Sequence, residues 1–251
     1  MYRVYTQRLW RMLDRTSVRP QHVAMIIDGN RRWAKLAGHS EAAVGHRAGA
    51  AKMIEFLGWC DRARIGTVTL YLLSRDNLAN RESRELQDLQ AIIARLADAI
   101  ATNSRWQVQH VGSCDGLDPL LAESLERNER LTAERRASLH VNLAVGYGGR
   151  SEIVDAMRSI VSSHANSGGS VAELAEILTP ELIGEHLYTG GQPDPDLLIR
   201  TSGEQRLSDF MLWQAAHSEF YFVEALGPDL REIDFLRALR DFATRERRYG
   251  K

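Results

Sequence analysis

Six short runs of β-branched and other apolar residues recur along the chain, and longer segments with helical spacing separate most of them. The apolar runs cover residues 22–27, 67–73, 106–111, 138–145, 196–200 and 220–223. The helical segments include 48–64, 84–100, 117–136 and 150–163. Alternation of this kind predicts an α/β fold, with a mostly parallel sheet of about six strands and crossover helices on its faces.

The connections between these segments are short, except for a flexible surface loop at 164–170. We therefore expect one α/β domain over residues 22–251, preceded by an amphipathic helix and lead-in at 1–21. The first helix interleaves apolar residues, at positions 4, 5, 9, 12 and 13, with four arginines, at positions 3, 8, 11 and 15. Such a helix can lie on an anionic membrane surface, but we favour packing of its apolar side on its own domain.

Composition excludes several classes of function. Thirty-two Lys and Arg against 33 Asp and Glu give a net charge of -1, which argues against a nucleic-acid partner. The two cysteines, Cys60 and Cys114, are far apart in sequence and suit a reducing cytoplasm without disulfides. No apolar run approaches the ~20 residues that span a bilayer, so we expect a cytoplasmic protein with at most peripheral membrane contact.

The first apolar run leads into Asp28, Gly29, Asn30, Arg31 and Arg32. In α/β proteins the turn from a strand into a helix binds anions, because free backbone N–H groups and the helix dipole meet there. Two guanidinium groups beside this turn indicate a polyphosphate ligand, and the carboxylate indicates a divalent cation bridging protein and phosphate. The competing interpretation is a capped helix start, with Asp28 as N-cap and the arginines in solvent.

A second basic group follows the fifth apolar run. Arg200 ends that run, and Arg206 and Ser208 lie on the glycine-containing loop behind it. Two guanidinium groups and a hydroxyl form a second candidate diphosphate clamp. The alternative is a structural ion pair between Arg200 and Glu204 or Asp196.

Four further polar positions accompany these two groups. Ser74 and Asn77 follow the second apolar run, where a parallel sheet presents residues to the same crevice as Asp28. His46 lies near a helix start and gains weight only from that context. Glu219 stands beside an aromatic run and, if buried, needs a cation or a donor, so it is either a metal ligand or a partner of an arginine.

Four segments, taken in chain order, resemble the cis-prenyltransferases, the family of Z-isoprenyl diphosphate synthases. These segments are His22–Ala34, Val145–Arg150, Pro193–Ser208 and Phe210–Phe222, and the resemblance extends from about residue 22 to residue 250. It implies a homodimeric α/β synthase that adds isopentenyl diphosphate to an allylic diphosphate and forms a Z double bond. It also implies Mg2+ as cofactor and small isoprenyl diphosphates as binding partners.

The resemblance further implies roles for individual residues. The catalytic group comprises Asp28, Asn30 and Asn77. The allylic diphosphate site comprises Gly29, Asn30, Arg31, Arg32, Trp33, His46, Ser74 and Asn77. The isopentenyl diphosphate site comprises Arg200, Arg206, Ser208 and, from the partner subunit in this family, Arg248 and Gly250. Asp28 and Glu219 match the metal ligands, and the proton acceptor is Asp28, Asn30 acting through water, or a phosphate oxygen.

Several positions depart from the long-chain members of the family. Arg31 stands where those members have glycine, Asp76 where they have glutamate, and Leu78 where they have tryptophan. An arginine expected before the Gly-His pair is absent. The arginine-proline pair that follows the Ser-x-x-Asn motif is displaced to Arg81 and lacks its proline, which puts one allylic phosphate contact in question.

The position of Leu72 carries the prediction of product length. Long-chain members have a small residue there, and the bulk of a leucine in a packed tunnel stops the growing prenyl chain early. Together the departures predict a short-chain enzyme that makes (2Z,6E)-farnesyl diphosphate from geranyl diphosphate. The alternatives are a longer product in a tunnel lined by Ile92, Ile93 and Leu96 with Leu72 as ordinary core, and a non-catalytic accessory subunit.

Overall fold

In the computed structural model, which describes residues 2–245, six strands alternate with ten α-helices. The strands are β1 (His22–Ile26), β2 (Thr67–Ser74), β3 (Trp106–Val111), β4 (Leu139–Tyr147), β5 (Leu197–Arg200) and β6 (Glu219–Phe222). The helices are α1 (Tyr2–Arg15), α2 (Asn30–Leu36), α3 (Ala42–Arg62), α4 (Arg75–Asn80), α5 (Ser83–Ala101), α6 (Pro119–Thr132), α7 (Gly149–Asn166), α8 (Val171–Ile177), α9 (Pro180–Glu185) and α10 (Glu232–Thr244).

The strands form one sheet in the order β3-β4-β2-β1-β5-β6, and every neighbouring pair is parallel. This confirms the predicted α/β class and the six-strand sheet. The chain leaves β1 on one side through β2 and returns on its other side through β5, so the strand order reverses between β1 and β5. Open α/β sheets bind ligands at such a reversal, outside the carboxyl ends of the strands.

The sheet is buried on both faces, and the two-residue period of β1 divides its side chains between two cores. Val23 and Met25 belong to the larger core, beneath α1, α3, α5, α6 and α10. Ala24 and Ile26 belong to a smaller core on the other face, built around Tyr147 and Phe210. A strand buried on both sides reads as a continuous apolar run, which explains why the sequence predicted β1 to within one residue.

Helix α3 is the largest departure from the predicted helices, because it begins six residues before the predicted start at 48. Its N-cap, Glu41, makes no side-chain capping bond, and its first turns carry alanine and glycine in place of an apolar stripe. Helix α7 likewise extends to Asn166, three residues into the predicted surface loop. Both errors arise where small or polar residues leave no periodic signal.

Helix α1 packs on its own domain, as we predicted. Thr6, Leu9, Trp10 and Leu13 are buried against α10, and the Trp10 indole N–H donates to Glu232 Oε1 at 2.9 Å. Residues 4 and 12, predicted on the apolar side, are exposed instead, and so are the four arginines. No helix within residues 2–245 is long and apolar enough to cross a membrane.

A buried histidine joins β1 to β2 and to the loop before β5. The imidazole of His22 is fully buried, with Nδ1 2.7 Å from the Pro193 carbonyl oxygen and Nε2 2.8 Å from Thr69 Oγ1. Burial disfavours the charged ring and lowers the pKa of His22 from 6.5 to about 4, although the bond to Pro193 opposes the shift.

This pKa makes stability depend on pH. Between pH 6.5 and 4 the unfolded chain binds a proton at His22 and the folded chain does not. The free energy of unfolding, which is highest above pH 6.5 as far as this residue is concerned, therefore decreases as the pH falls through this range. The expected loss from this residue is about 3 kcal/mol. Urea unfolding from pH 4.5 to 7.5 measures it, with His22→Gln as the reference that lacks the titrating ring. Equal pH slopes for both proteins would contradict the assignment.

Candidate active site

A cavity of about 750 Å3 opens where β1, β2 and β5 end. This volume lies within the range of small-molecule sites, about 300–1,000 Å3. The polar and charged groups on its wall are Asp28, Asn30, Arg31, Arg32, His46, Ser74, Asp76, Asn77, Arg81, Arg200, Arg206 and Ser208. The apolar part of the wall includes Met53, Leu72, Leu89, Ile92, Ile93 and Leu96. A cavity with this division suits a ligand that has an anionic head and a hydrocarbon tail.

The turn between β1 and α2 places Asp28 and Asn30 at the cavity. Gly29 takes a φ of +91°, a conformation that side chains disfavour, and its N–H donates to Asp28 Oδ1 at 2.6 Å. Thr201, the residue that follows β5, secures the turn, since its hydroxyl donates to the Asp28 carbonyl and accepts from the Asp28 N–H. The N-cap of α2 is Gly29, so the alternative interpretation of Asp28 as a helix cap is wrong.

The central contact of the site joins Asp28 to Arg200. Arg200 Nη2 donates to Asp28 Oδ2 at 2.7 Å, and Nη1 donates to Ser208 Oγ at 2.8 Å and to the Arg206 carbonyl. The side chain of Arg200 is 3% exposed and that of Asp28 is 38% exposed. The alternative pairing of Arg200 with Glu204 or Asp196 is therefore not the one found.

The loop after β5 is held in a costly backbone conformation. Ser202, Ser208, Asp209 and Met211 all have positive φ, between 47° and 74°. Non-glycine residues in this region cost free energy and persist only where the surroundings enforce them. Here the Tyr71 hydroxyl donates to the Ser208 carbonyl at 3.1 Å, which ties the loop to the end of β2.

A second charged group surrounds Glu85, near the amino end of α5. Arg81 Nη1 donates to Glu85 Oε1 at 2.6 Å, His46 Nε2 lies 3.2 Å from the same oxygen, and Arg31 Nε lies 3.9 Å away. Burial lowers the pKa of His46, against the effect of its bond to Glu85. Burial alone would raise the pKa of Glu85, but the bond to His46 and the charges of Arg81 and Arg31 lower it.

Most of the predicted site residues meet in this cavity, but two predictions do not lead there. Trp33 is not on the cavity wall; its indole N–H donates to Asp229 Oδ1 at 2.9 Å. Glu219 is the first residue of β6 and is paired with Leu197 of β5, which is paired with Val23 of β1. It therefore lies at the amino ends of the strands, whereas Asp28 follows the carboxyl end of β1. Arg248 and Gly250 lie outside the described residues.

Glu219 therefore does not share a metal ion with Asp28 within one chain. Its carboxylate accepts a hydrogen bond from Arg245 instead, which matches the alternative of an arginine partner. Within residues 2–245, no cluster of three or more His, Cys, Asp or Glu side chains could hold a metal ion.

Sequence reasoning missed Arg81 and Glu85 as members of the site. In the sequence, Arg81 stands out only as an arginine displaced from its expected place after the Ser-x-x-Asn motif. In the fold it lines the cavity, with Nη1 3.1 Å from His46 Nε2. The available signal was the four-residue spacing between Arg81 and Glu85, which favours a side-chain ion pair along a helix.

Comparison with known proteins gives consistent matches. Residues 26–250 match the family model described as putative undecaprenyl diphosphate synthase. A (2Z,6E)-farnesyl diphosphate synthase of Mycolicibacterium smegmatis is 49% identical over 252 residues, covering 100% of this chain and 95% of that protein. One of Thermobifida fusca is 52% identical over 250 residues, covering 100% and 97%. The crystal structure of lavandulyl diphosphate synthase from Lavandula x intermedia, in complex with dimethylallyl diphosphate, superposes with a TM-score of 0.86 at 33% identity, covering 94% of this chain and 100% of that one.

The close packing of α2 on α3 predicts that Gly49 is essential to the site. A Cβ at Gly49 would lie 2.4 Å from Asn30 Oδ1, so Gly49→Ala must push the Asn30 amide out of place. We expect affinity for inorganic pyrophosphate to fall by about tenfold, as for one lost hydrogen bond to a charged group. Calorimetric titration measures the change.

Gly58→Ala is the matched control, since it lies on the same helix and its Cβ would meet no atom within 4 Å. It should keep the pyrophosphate affinity and gain about 0.5–1 kcal/mol of stability from the better helix former. Unchanged affinity in Gly49→Ala would contradict the role given to the close approach at Asn30.

Proposed function

The chain belongs to the undecaprenyl diphosphate synthase family of prenyltransferases, and from that premise we propose that it condenses isopentenyl diphosphate with geranyl diphosphate to form (2Z,6E)-farnesyl diphosphate. As a cis-prenyltransferase, the chain elongates prenyl diphosphates. The observation that carries the proposal is the single cavity in which two groups of cations flank Asp28 and an apolar wall extends beyond them. The names of the two bacterial relatives support the short product.

The apolar end of the cavity supports the assignment of product length. Leu72 is half-buried at the end of β2, and Ile92, Ile93 and Leu96 face it from α5 across the same space. Both walls, which the sequence offers as alternatives, line this cavity, which supports the assignment of both to the prenyl tail. Bulk at Leu72 then shortens the room left for a growing chain, because packed walls do not yield to an extra methylene.

We assign the isopentenyl diphosphate to the loop after β5. Ser208 and the Arg206 carbonyl hold one nitrogen of Arg200, and Asp28 holds another, so this guanidinium is oriented before substrate arrives. Arg206 is exposed and pairs with Glu204, so it can turn to a phosphate without losing buried contacts. Preorganised donors of this kind stabilise charge without reorganisation during the reaction.

We assign the allylic diphosphate to the side of the cavity formed by α2, α3 and α4. Arg31, Arg32 and Arg81 supply cationic donors there, and His46 supplies a ring N–H. The Ser74 hydroxyl accepts the backbone N–H at position 77 at 3.0 Å, which fixes the first turn of α4 and the placement of the Asn77 side chain. When the allylic C–O bond ionises, these donors stabilise the charge on the departing diphosphate. The apolar wall keeps water from the allylic cation.

The donor set fits a magnesium ion held jointly by protein and substrate. Mg2+ is commonly bound by one or two carboxylates together with substrate phosphates. Asp28 offers one partly exposed carboxylate on the cavity wall, between the two cationic groups. The ion, when bound by Asp28, would supply charge neutralisation for the leaving diphosphate.

The proposal includes a homodimer, for which the edge of the sheet gives support. Among the strands formed by residues 2–245, none pairs with the outer side of β6. All four residues of β6, three of them aromatic, are half-buried in the single chain. An edge strand with this composition favours pairing with a second copy. We also place the protein in the cytoplasm, in keeping with its two free cysteines, Cys60 and Cys114.

Incubation with Mg2+, labelled isopentenyl diphosphate and one allylic primer at a time tests the proposed reaction. We expect one addition to geranyl diphosphate, giving (2Z,6E)-farnesol after dephosphorylation, as sized by chromatography against standards. Long polyprenols would overturn the product assignment while leaving the reaction class intact. No incorporation with any primer would favour a non-catalytic subunit.

Leu72→Ala tests the assignment of chain length. Removing the isobutyl group enlarges the cavity at its apolar end, so we expect products with at least one additional isoprene unit in the same assay. Leu36→Ala makes the same change on the exposed side of α2 and should leave the product unchanged. The same product from both variants would remove Leu72 from the chain-length wall.

A further inference from the structure

Glu85 is the one acidic side chain, among those that the structure describes, that contacts three basic side chains of the allylic side. These side chains come from three different segments: Arg31 from α2, His46 from α3, and Arg81 from the link between α4 and α5. All three line the cavity, whereas Glu85 stands behind them. It therefore reaches a ligand in the cavity only through its partners.

The pairing is largely sheltered from water. The side chains of Glu85, Arg81 and His46 are 17%, 11% and 7% exposed. Exposed ion pairs contribute little because solvent screens them and their side chains lose freedom. A sheltered carboxylate that accepts a short hydrogen bond from Arg81, at 2.6 Å, and a longer one from His46, at 3.2 Å, orients its partners much more firmly.

The geometry leaves the working side of Arg81 free. Its Nη1 donates to Glu85 Oε1 at 2.6 Å and lies 3.1 Å from His46 Nε2. Its Nε and Nη2 make no hydrogen bond within residues 2–245. A guanidinium fixed at one nitrogen in this way presents the remaining donors in a fixed plane, which is the arrangement that phosphate oxygens accept.

Glu85 also connects the charged end of the cavity to the apolar end. It shares one face of α5 with Leu89, Ile92 and Leu96, at spacings of four, seven and eleven residues. These three residues line the part of the cavity assigned to the prenyl tail. The contacts of Glu85 with Arg81 and His46 therefore set the distance between the sites for the diphosphate and for the prenyl tail of one ligand.

We propose that Glu85 is a positioning residue for the allylic substrate, holding Arg81 and His46 toward the diphosphate and fixing the α5 wall relative to them. The proposal rests on the function proposed above, since it takes the α2–α4 side as the allylic site. Two guanidinium groups, those of Arg31 and Arg81, share this single carboxylate, so the group keeps a net positive charge for the diphosphate. Glu85 thus orients its partners without neutralising the group.

Initial-rate kinetics of Glu85→Ala and Glu85→Gln test this role. Without the tether, we expect Glu85→Ala to raise KM for geranyl diphosphate by about tenfold and to leave KM for isopentenyl diphosphate within about twofold. The amide of Glu85→Gln can still accept the Arg81 hydrogen bond, so it should recover most of the geranyl diphosphate KM. Loss of folding alone would lower the amount of active enzyme without separating the two KM values.

Glu82→Gln is the matched control, because Glu82 precedes the same helix, is exposed and makes no side-chain capping hydrogen bond to that helix. It should match the unmodified protein in both KM values. Calorimetric titration of each variant with inorganic pyrophosphate separates this proposal from the proposed function, because it needs no turnover. Equal KM changes for both substrates, or unchanged pyrophosphate affinity in Glu85→Ala, would overturn the role of Glu85.

Discussion

The ion pair between Asp28 and Arg200 is the contact on which the site depends. It joins the ends of β1 and β5, the two adjacent strands between which the strand order reverses. The guanidinium is almost entirely buried, and a buried charge without a partner costs several kcal/mol. Asp28 offsets that cost and thereby fixes Arg200 in position. The same carboxylate remains partly exposed to the cavity, so it serves both the structure and the ligand site.

The charge balance of the cavity follows the same logic. Arg32 and Arg206 pair with Glu204, Arg31 and Arg81 pair with Glu85, and the buried Arg200 pairs with Asp28. Each cation is thus held near a carboxylate while no diphosphate is bound. An anionic ligand then meets oriented donors, with little of the reorganisation that a flexible cluster of arginines would require.

The fold was predictable because its signal is local. Strands β1 and β5 are nearly continuous apolar runs, since both faces of a parallel sheet are covered there, and the helices between the strands carry their own period. Predictions failed where that signal is missing, as at the start of α3, which opens with alanines and a glycine. They also failed at residues 4 and 12 of α1, because the stripe that packs on the domain runs through residues 6, 9, 10 and 13 and leaves those two positions outside it. The polar turn around Asp28 and the arginine loop after β5 were predictable, from residue type and position, as polar segments that follow strands.

The sequence by itself determined the strands of a parallel sheet and the two cationic groups, since apolar periodicity and strand ends are properties of short segments. Only the tertiary structure decided the strand order, with its reversal between β1 and β5, and which charges pair. Arg200 meets Asp28 across 172 positions of sequence, Glu219 lies at the amino ends of the strands, and Glu85 contacts basic side chains from three segments. The partners of a charge are set by proximity in space, because the interaction between two charges weakens as their separation grows. Proximity between distant segments leaves no periodic trace along the chain.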